Sequence, residues 1–187
     1  MASDVSLTVG TQILFNLAAS YNPANALTDI ELGTPTDVAL DLTDVAAGAA
    51  EQSVKADLGA NRAPEYAVHA AIEFATEPVT GTTVDFYWSA SPVSTAGTAN
   101  PGYCTGTSAA YTGTPGTLAE GLKQLIGIGS LVCSADATGT IQMALIGTFS
   151  PPTRYGSLVV HNNTADAFHS DVVEMAVAFT PIIPQSS

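Results

Sequence analysis

Apolar and polar residues alternate with a period of two through most of this chain, the pattern of strands that bury one face. The clearest stretch is Thr83–Ser91: Val84, Phe86 and the single tryptophan, Trp88, share one parity, and Asp85, Tyr87 and Ser89 share the other. Large aromatics carry the most buried area per residue, so Val84, Phe86 and Trp88 are the expected floor of the core. Glu65–Thr76 repeats the pattern, with Tyr66, Val68, Ala70, Ile72 and Phe74 all on one face. Asp37–Thr43 sets Val38, Leu40 and Leu42 against Ala39 and Asp41, and Glu51–Leu58 sets Val54, Ala56 and Leu58 against Lys55 and Asp57.

Further strands are expected at Ser6–Val9 with Ile13–Ala19, at Thr28–Leu32, and at Leu125–Ser134 and Gly139–Phe149. The last two are predicted to pair through a turn at Asp136-Ala137-Thr138. Arg154–His161 and Val172–Phe179 are predicted as a closing pair. The best helical segment is Thr117–Gln124, where Thr117 and Glu120 fit a capping box and Gly121 limits the length. Residues 91–116 are Ser, Gly, Thr, Ala and Pro with only Tyr103, Cys104 and Tyr111 as anchors. A connection of that length without its own elements reads as a contact arm or as a flexible exposed loop with no contact role. The chain as a whole therefore predicts a single all-β domain over residues 1–187. Its fold is an antiparallel β-sandwich or jelly roll with at most one short helix, a long loop at 91–116, and extended arms at 1–10 and 181–187.

Composition narrows the function. Apolar residues make up 46% of the 187 residues and charged residues only 11%, so much of the surface is Thr, Ser, Asn and Gly. Four basic residues stand against 17 acids, a formal charge of −13. No basic patch can be assembled from them, which argues against nucleic acid and anionic membranes as partners. The N-terminal residues show no basic, apolar leader and no segment reaches membrane-spanning length, so synthesis in the cytoplasm is expected.

No catalytic motif stands out, and no enzyme activity or cofactor is expected. His69, His161 and His169 lack any ligand spacing, and solvent-facing histidines are the simpler expectation. Asp41/Asp44 and Asp166/Asp171 offer paired carboxylates, but without the cluster of aromatics that sugar-cleaving clefts carry. Cys104 and Cys133 are widely spaced, with no CxxC, and are expected as a reduced pair with Cys133 in the core. Glu73 and Asp85 are expected to face outward from half-buried strands. Arg154 is expected to clasp a carboxylate, its own chain's or a partner's. Tyr103, Tyr111 and Arg154 are the predicted partner contacts.

The segments Val84-Asp-Phe-Tyr-Trp-Ser-Ala-Ser-Pro92 and Pro152-Thr-Arg-Tyr-Gly-Ser-Leu-Val-Val-His-Asn-Asn163 resemble small structural proteins of the head modules of tailed bacteriophages. The likeness spans roughly residues 60–183 and rests on packing motifs. It implies a capsid decoration (cement) protein on the outer surface of the virion, bound to the major capsid protein and self-associated as a dimer or trimer. Two other readings follow from the same residues: a neck or tail structural protein, and a lectin-like carbohydrate-binding module using Tyr87, Tyr103 and Tyr111.

Overall fold

The computed structural model describes residues 10–17, 21–135 and 141–182. The strands are β1 (Ile13–Asn16), β2 (Thr36–Ala39), β3 (Ala50–Gln52), β4 (Ala56–Asp57), β5 (Glu65–Glu73), β6 (Thr83–Ser91), β7 (Ala109–Ala110), β8 (Ile126–Val132), β9 (Ile141–Phe149), β10 (Tyr155–Asn163) and β11 (Ala176–Ile182). One short helix, α1 (Leu118–Leu122), begins at the predicted capping box. There the Thr117 hydroxyl accepts from the Glu120 backbone N–H, and the Glu120 carboxylate accepts from the Thr117 N–H.

Two sheets pack face to face as a β-sandwich. The first runs β2-β1-β11-β5-β9 and the second β7-β3-β10-β6-β8, with β4 added on β10. All ladders are antiparallel except β1–β2, which is parallel. The connection across residues 17–35 supplies the long return that a parallel neighbour requires.

Two predicted pairings are corrected. β8 pairs with β6 and β9 with β5, so these consecutive strands belong to opposite sheets. They still lie side by side where the sheets meet: a Cβ on Gly129 would strike the Ile146 carbonyl, so only glycine permits the approach. The turn predicted between them, Asp136-Ala137-Thr138, lies outside the described residues. Likewise β10 pairs with β6, β3 and β4, while β11 pairs with β1 and β5. Both β10 and β11 are buried on two faces at their centres, so alternation alone could not name their neighbours. The predicted strands at Ser6–Val9 and the arm tips at 1–9 and 183–187 also lie outside the described residues. Pro181 and Ile182 are part of β11, opposite Tyr66 and Glu65.

The core follows the predicted parity. Val84, Phe86 and Trp88 from the second sheet meet Tyr66, Val68, Ala70, Ile72 and Phe74 from the first. Trp88 is the hub, with Phe15, Phe149 and Phe179 at centroid distances of 6.3, 5.7 and 5.6 Å in edge-on or tilted contacts. Burying a ring of this kind stabilises by roughly 1.5–3 kcal/mol, with a further increment for aromatic geometry. The indole lies flat over Gly156 of β10, where a Cβ would overlap the ring. Cys133 lies in this core and Cys104 in a separate cluster, both as free thiols, as expected.

Candidate functional site

Strand register decides which side chains face out of each sheet. Across the second sheet, one outward row is Gln52–Val159–Tyr87–Gly127 and the next is Ala50–His161–Asp85–Ser130. Residues 92–125 fold over half of this face. Leu122, Tyr111, Cys104, Ala50 and Val159 form a second small core beneath them. The Tyr111 hydroxyl donates to the Gly102 carbonyl, Thr105 N–H donates to Gln52 Oε1 at 2.8 Å, and Ser89 Oγ donates to the Pro101 carbonyl at 2.8 Å. Lys55 ties the near end: its Nζ donates to Ser91 Oγ and to the carbonyls of Val93, Thr95 and Thr98, at 2.7–3.1 Å. The predicted contact arm is therefore a third layer of the fold.

The other half of this face is open and forms a groove beside α1. Two adjoining hollows, of about 340 and 300 Å³, share Asp85 and Tyr87. Gly127, Ile128, Gly129 and Ser130 close one side; Ala119, Leu122, Lys123, His161 and Asn163 close the other. Asp85 Oδ1 accepts from Ser130 Oγ at 2.6 Å and Oδ2 accepts from Asn163 Nδ2 at 3.3 Å. His161 Nδ1 lies 3.8 Å from Oδ2, an ionic approach longer than a hydrogen bond. His161, and after it the hydroxyls of Ser130 and Thr83, hold the Asp85 carboxyl below the usual range against the opposing pull of burial. Burial, reinforced by Asp85, pushes the Tyr87 phenol up.

The outer face of the first sheet is divided differently. Its row Leu14–Ala178–His69–Leu145 passes from 1% exposed at Leu14 to 58% at Leu145. A strap of residues 21–32 covers the near end, where Tyr21 and Ile30 pack on Leu14, Ala176 and Ala178. Tyr21 Oη donates to the Thr28 carbonyl at 2.7 Å and accepts from Ile30 N–H at 3.3 Å, and burial pushes its phenol up to about 12. Met143, opposite Ala71, and Leu145, opposite His69, are left bare on β9.

At the margin of the strap a cleft of about 360 Å³ is lined by Ala24, Asn25, Thr28, Glu73, Asp171 and Glu174, among others. Glu73 lies on the outward parity, as expected, but is buried there, and burial raises its carboxyl while His169 opposes the shift. His169 Nδ1 accepts from the Asp171 N–H at 3.1 Å and sits 3.2 Å from Glu73 Oε2. Among the described residues no group of three or more His, Cys, Asp and Glu is placed to hold a metal ion.

The remaining predicted residues separate. Tyr111 is 2% exposed inside the small core, so its side chain serves the cover layer and presents nothing to a partner. Tyr103 stands 43% exposed at a left-handed turn, φ 62°. Arg154 clasps Asp57 of its own chain through Nε–Oδ1 at 2.6 Å and Nη2–Oδ2 at 2.7 Å, and lies 5.0 Å from the Tyr155 ring centroid. This pair holds the Asp57 carboxyl below its usual range. Tyr87 lines this groove, and Tyr103 and Tyr111 do not. The predicted solvent-facing role fails for His161, which is mostly buried beside Asp85, and for His169, which bonds within the strap margin. Asp41 caps its own turn through Thr43, Asp166 accepts from Thr76, and Asp171 accepts from Val173 N–H, so neither predicted carboxylate pair is assembled. Sequence reading missed the Asp85–His161–Asn163 grouping, whose members lie on different strands and meet only through the β6–β10 register.

No protein-family model, curated protein or solved structure matches this chain.

Proposed function

We propose that the chain is a non-enzymatic structural protein of a tailed-bacteriophage virion, a decoration protein that binds the outer capsid shell and bridges neighbouring capsid subunits. The observation that carries this reading is the open apolar half of the first sheet. Met143 and Leu145 stand bare there beside the half-buried Ala67 and His69, and the one acid in these rows, Asp37, lies at the far edge opposite Leu14. Large exposed apolar side chains grouped on a sheet face mark interaction surfaces. Burying each on a partner would stabilise the contact by roughly 1.5–3 kcal/mol. On a chain of net charge −13, docking through Met143 and Leu145 buries apolar side chains rather than unpaired carboxylates. The neutral Ser/Thr/Gly surface and the resemblance of Val84–Pro92 and Pro152–Asn163 to head-module proteins agree with this role.

The test is co-sedimentation of the purified chain with capsid shells that lack it, followed by electron-microscopy reconstruction. Density in symmetric clusters on the outer lattice is expected, with binding weakened at least tenfold by Met143→Ser/Leu145→Ser. A dimer or trimer is expected by light scattering. A chain that stays in the supernatant with every shell would defeat the reading. Density at the neck or tail would keep a virion role and replace decoration.

A further inference from the structure

We propose that the groove over β6, β8 and β10 is a binding site for a neutral sugar unit, with Tyr87 as the stacking surface and Asp85, Asn163 and Lys123 as hydroxyl partners. The site is on the opposite sheet from the apolar half-face, so it stands whether or not that face meets a capsid.

Shape comes first. The two hollows meet at Asp85 and Tyr87, and each volume falls at the lower end of the range for small-molecule sites, roughly 300–1,000 Å³. A Cβ at Gly127, directly across the ladder from Tyr87, would meet nothing within 4 Å, so the space beside the phenol is open. A helix wall (Ala119, Leu122, Lys123) and a strand wall (Gly127–Ser130) bound it on two sides.

Chemistry selects the ligand. A pyranose carries an apolar C–H face and a rim of hydroxyls that each donate and accept. The groove offers the counterpart: one half-buried aromatic, one ionised carboxylate, one amide and one ammonium. The carboxylate is fixed in place because Ser130 and Asn163 already donate to it, and its remaining lone pairs can accept sugar hydroxyls in charge-assisted bonds. An anionic ligand is disfavoured by Asp85 at the centre and by the net charge of −13. A metal-bridged ligand is disfavoured because no metal-holding group exists among the described residues. The lining holds a single carboxylate, where hydrolysis of a glycoside uses two, so the site binds without cleaving.

Saturation-transfer NMR on the full chain tests this, with cellobiose, lactose, maltose and N,N′-diacetylchitobiose as probes at millimolar concentration. At least one is expected to receive saturation. Tyr87→Ala and Asp85→Asn are expected to weaken that probe about tenfold or more, the weight of one stacking or charge-assisted contact. Ala119→Trp, at an exposed position on the helix wall, fills the groove while leaving every strand residue unchanged, so it tests the site even if a strand variant misfolds. Binding that survives Ala119→Trp would place the sugar elsewhere and overturn the proposal. So would the absence of transfer to all four probes.

Discussion

Both sheets of this sandwich carry a cover on half of their outer face, and the two covers are built on opposite plans. Residues 92–125 cover the second sheet as a layer with its own small core, a helix, and a lysine knot of four oxygen acceptors. Residues 21–32 cover the first sheet as a thin strap, pinned by Tyr21 and Ile30, with Leu27 83% exposed. The difference shows in what each leaves open. Beside the thick cover the sheet is polar and grooved; beside the thin strap it is apolar and bare. A cover that supplies its own apolar residues lets the underlying strand rows be polar. A strap that supplies few leaves apolar residues of the sheet bare.

The largest effect expected from breaking this contrast is at Tyr111. Tyr111→Ala empties the small core and removes the bond to Gly102, and should cost about 3–5 kcal/mol in chemical denaturation. Amide exchange across residues 92–116 should accelerate as the layer loosens. A cost below about 1 kcal/mol would mean that the layer is an ornament, and the two covers would be alike after all.

Lys55→Met comes next. It leaves Ser91 Oγ and three carbonyls without their shared donor, the first two bonds part-buried and those to Thr95 and Thr98 exposed, and should cost about 1–3 kcal/mol. Exchange should quicken first at residues 93–98. No local pattern announces this knot, because a lysine on the polar parity of a strand reads as a solvated charge.

The pattern of legibility is itself physical. β6 was readable to the residue, β5 nearly so, and the capping box of α1 was found from Thr117 and Glu120 alone, since each is a local rule. Pairing was not legible. Period-two alternation states which residues bury, and β8, β9, β10 and β11 each satisfy it with several neighbours. The packing of the long segment was not legible because its small residues lack an apolar signature. Yet Ser89, Ser91 and Ser157, small residues on the outward parity of long strands, are buried because they make room for a packed layer. The groove was legible only in part: Tyr87 was a candidate, but Asp85, His161 and Asn163 are joined by register, which no local pattern encodes.

A smaller effect follows from pH. Glu51 of β3, which pairs with β7 in the thick cover, has its carboxyl pushed up to about 7 by burial and then by Asp41. The folded state therefore favours the protonated acid. Its contribution is fully present below the ordinary carboxylate range near 4.5 and is lost as pH rises through about 7. The raised carboxyl of Glu73 acts in the same direction. Glu51→Gln should remove most of this slope and stabilise the chain at pH 8 by about 1–2 kcal/mol, discounted for its partial solvent access. Equal denaturation midpoints for Glu51→Gln and the parent at pH 8 would refute the assignment.

The smallest effect is expected at the strap. Tyr21→Phe keeps the ring on Leu14 and Ala178 and removes the hydroxyl that donates to Thr28 and accepts from Ile30 N–H. One part-buried hydrogen-bonding group should cost about 1 kcal/mol, at the edge of what denaturation resolves. The discriminating readout is local: exchange at residues 28–32 should rise while that at 92–116 stays unchanged. If the strap is thin because its outer side is completed by a partner, the same variant should also weaken capsid binding, since Leu145 lies on the same sheet face. A variant that loosens the strap with no effect on binding would separate the two ends of that face, leaving Met143 and Leu145 as an independent contact.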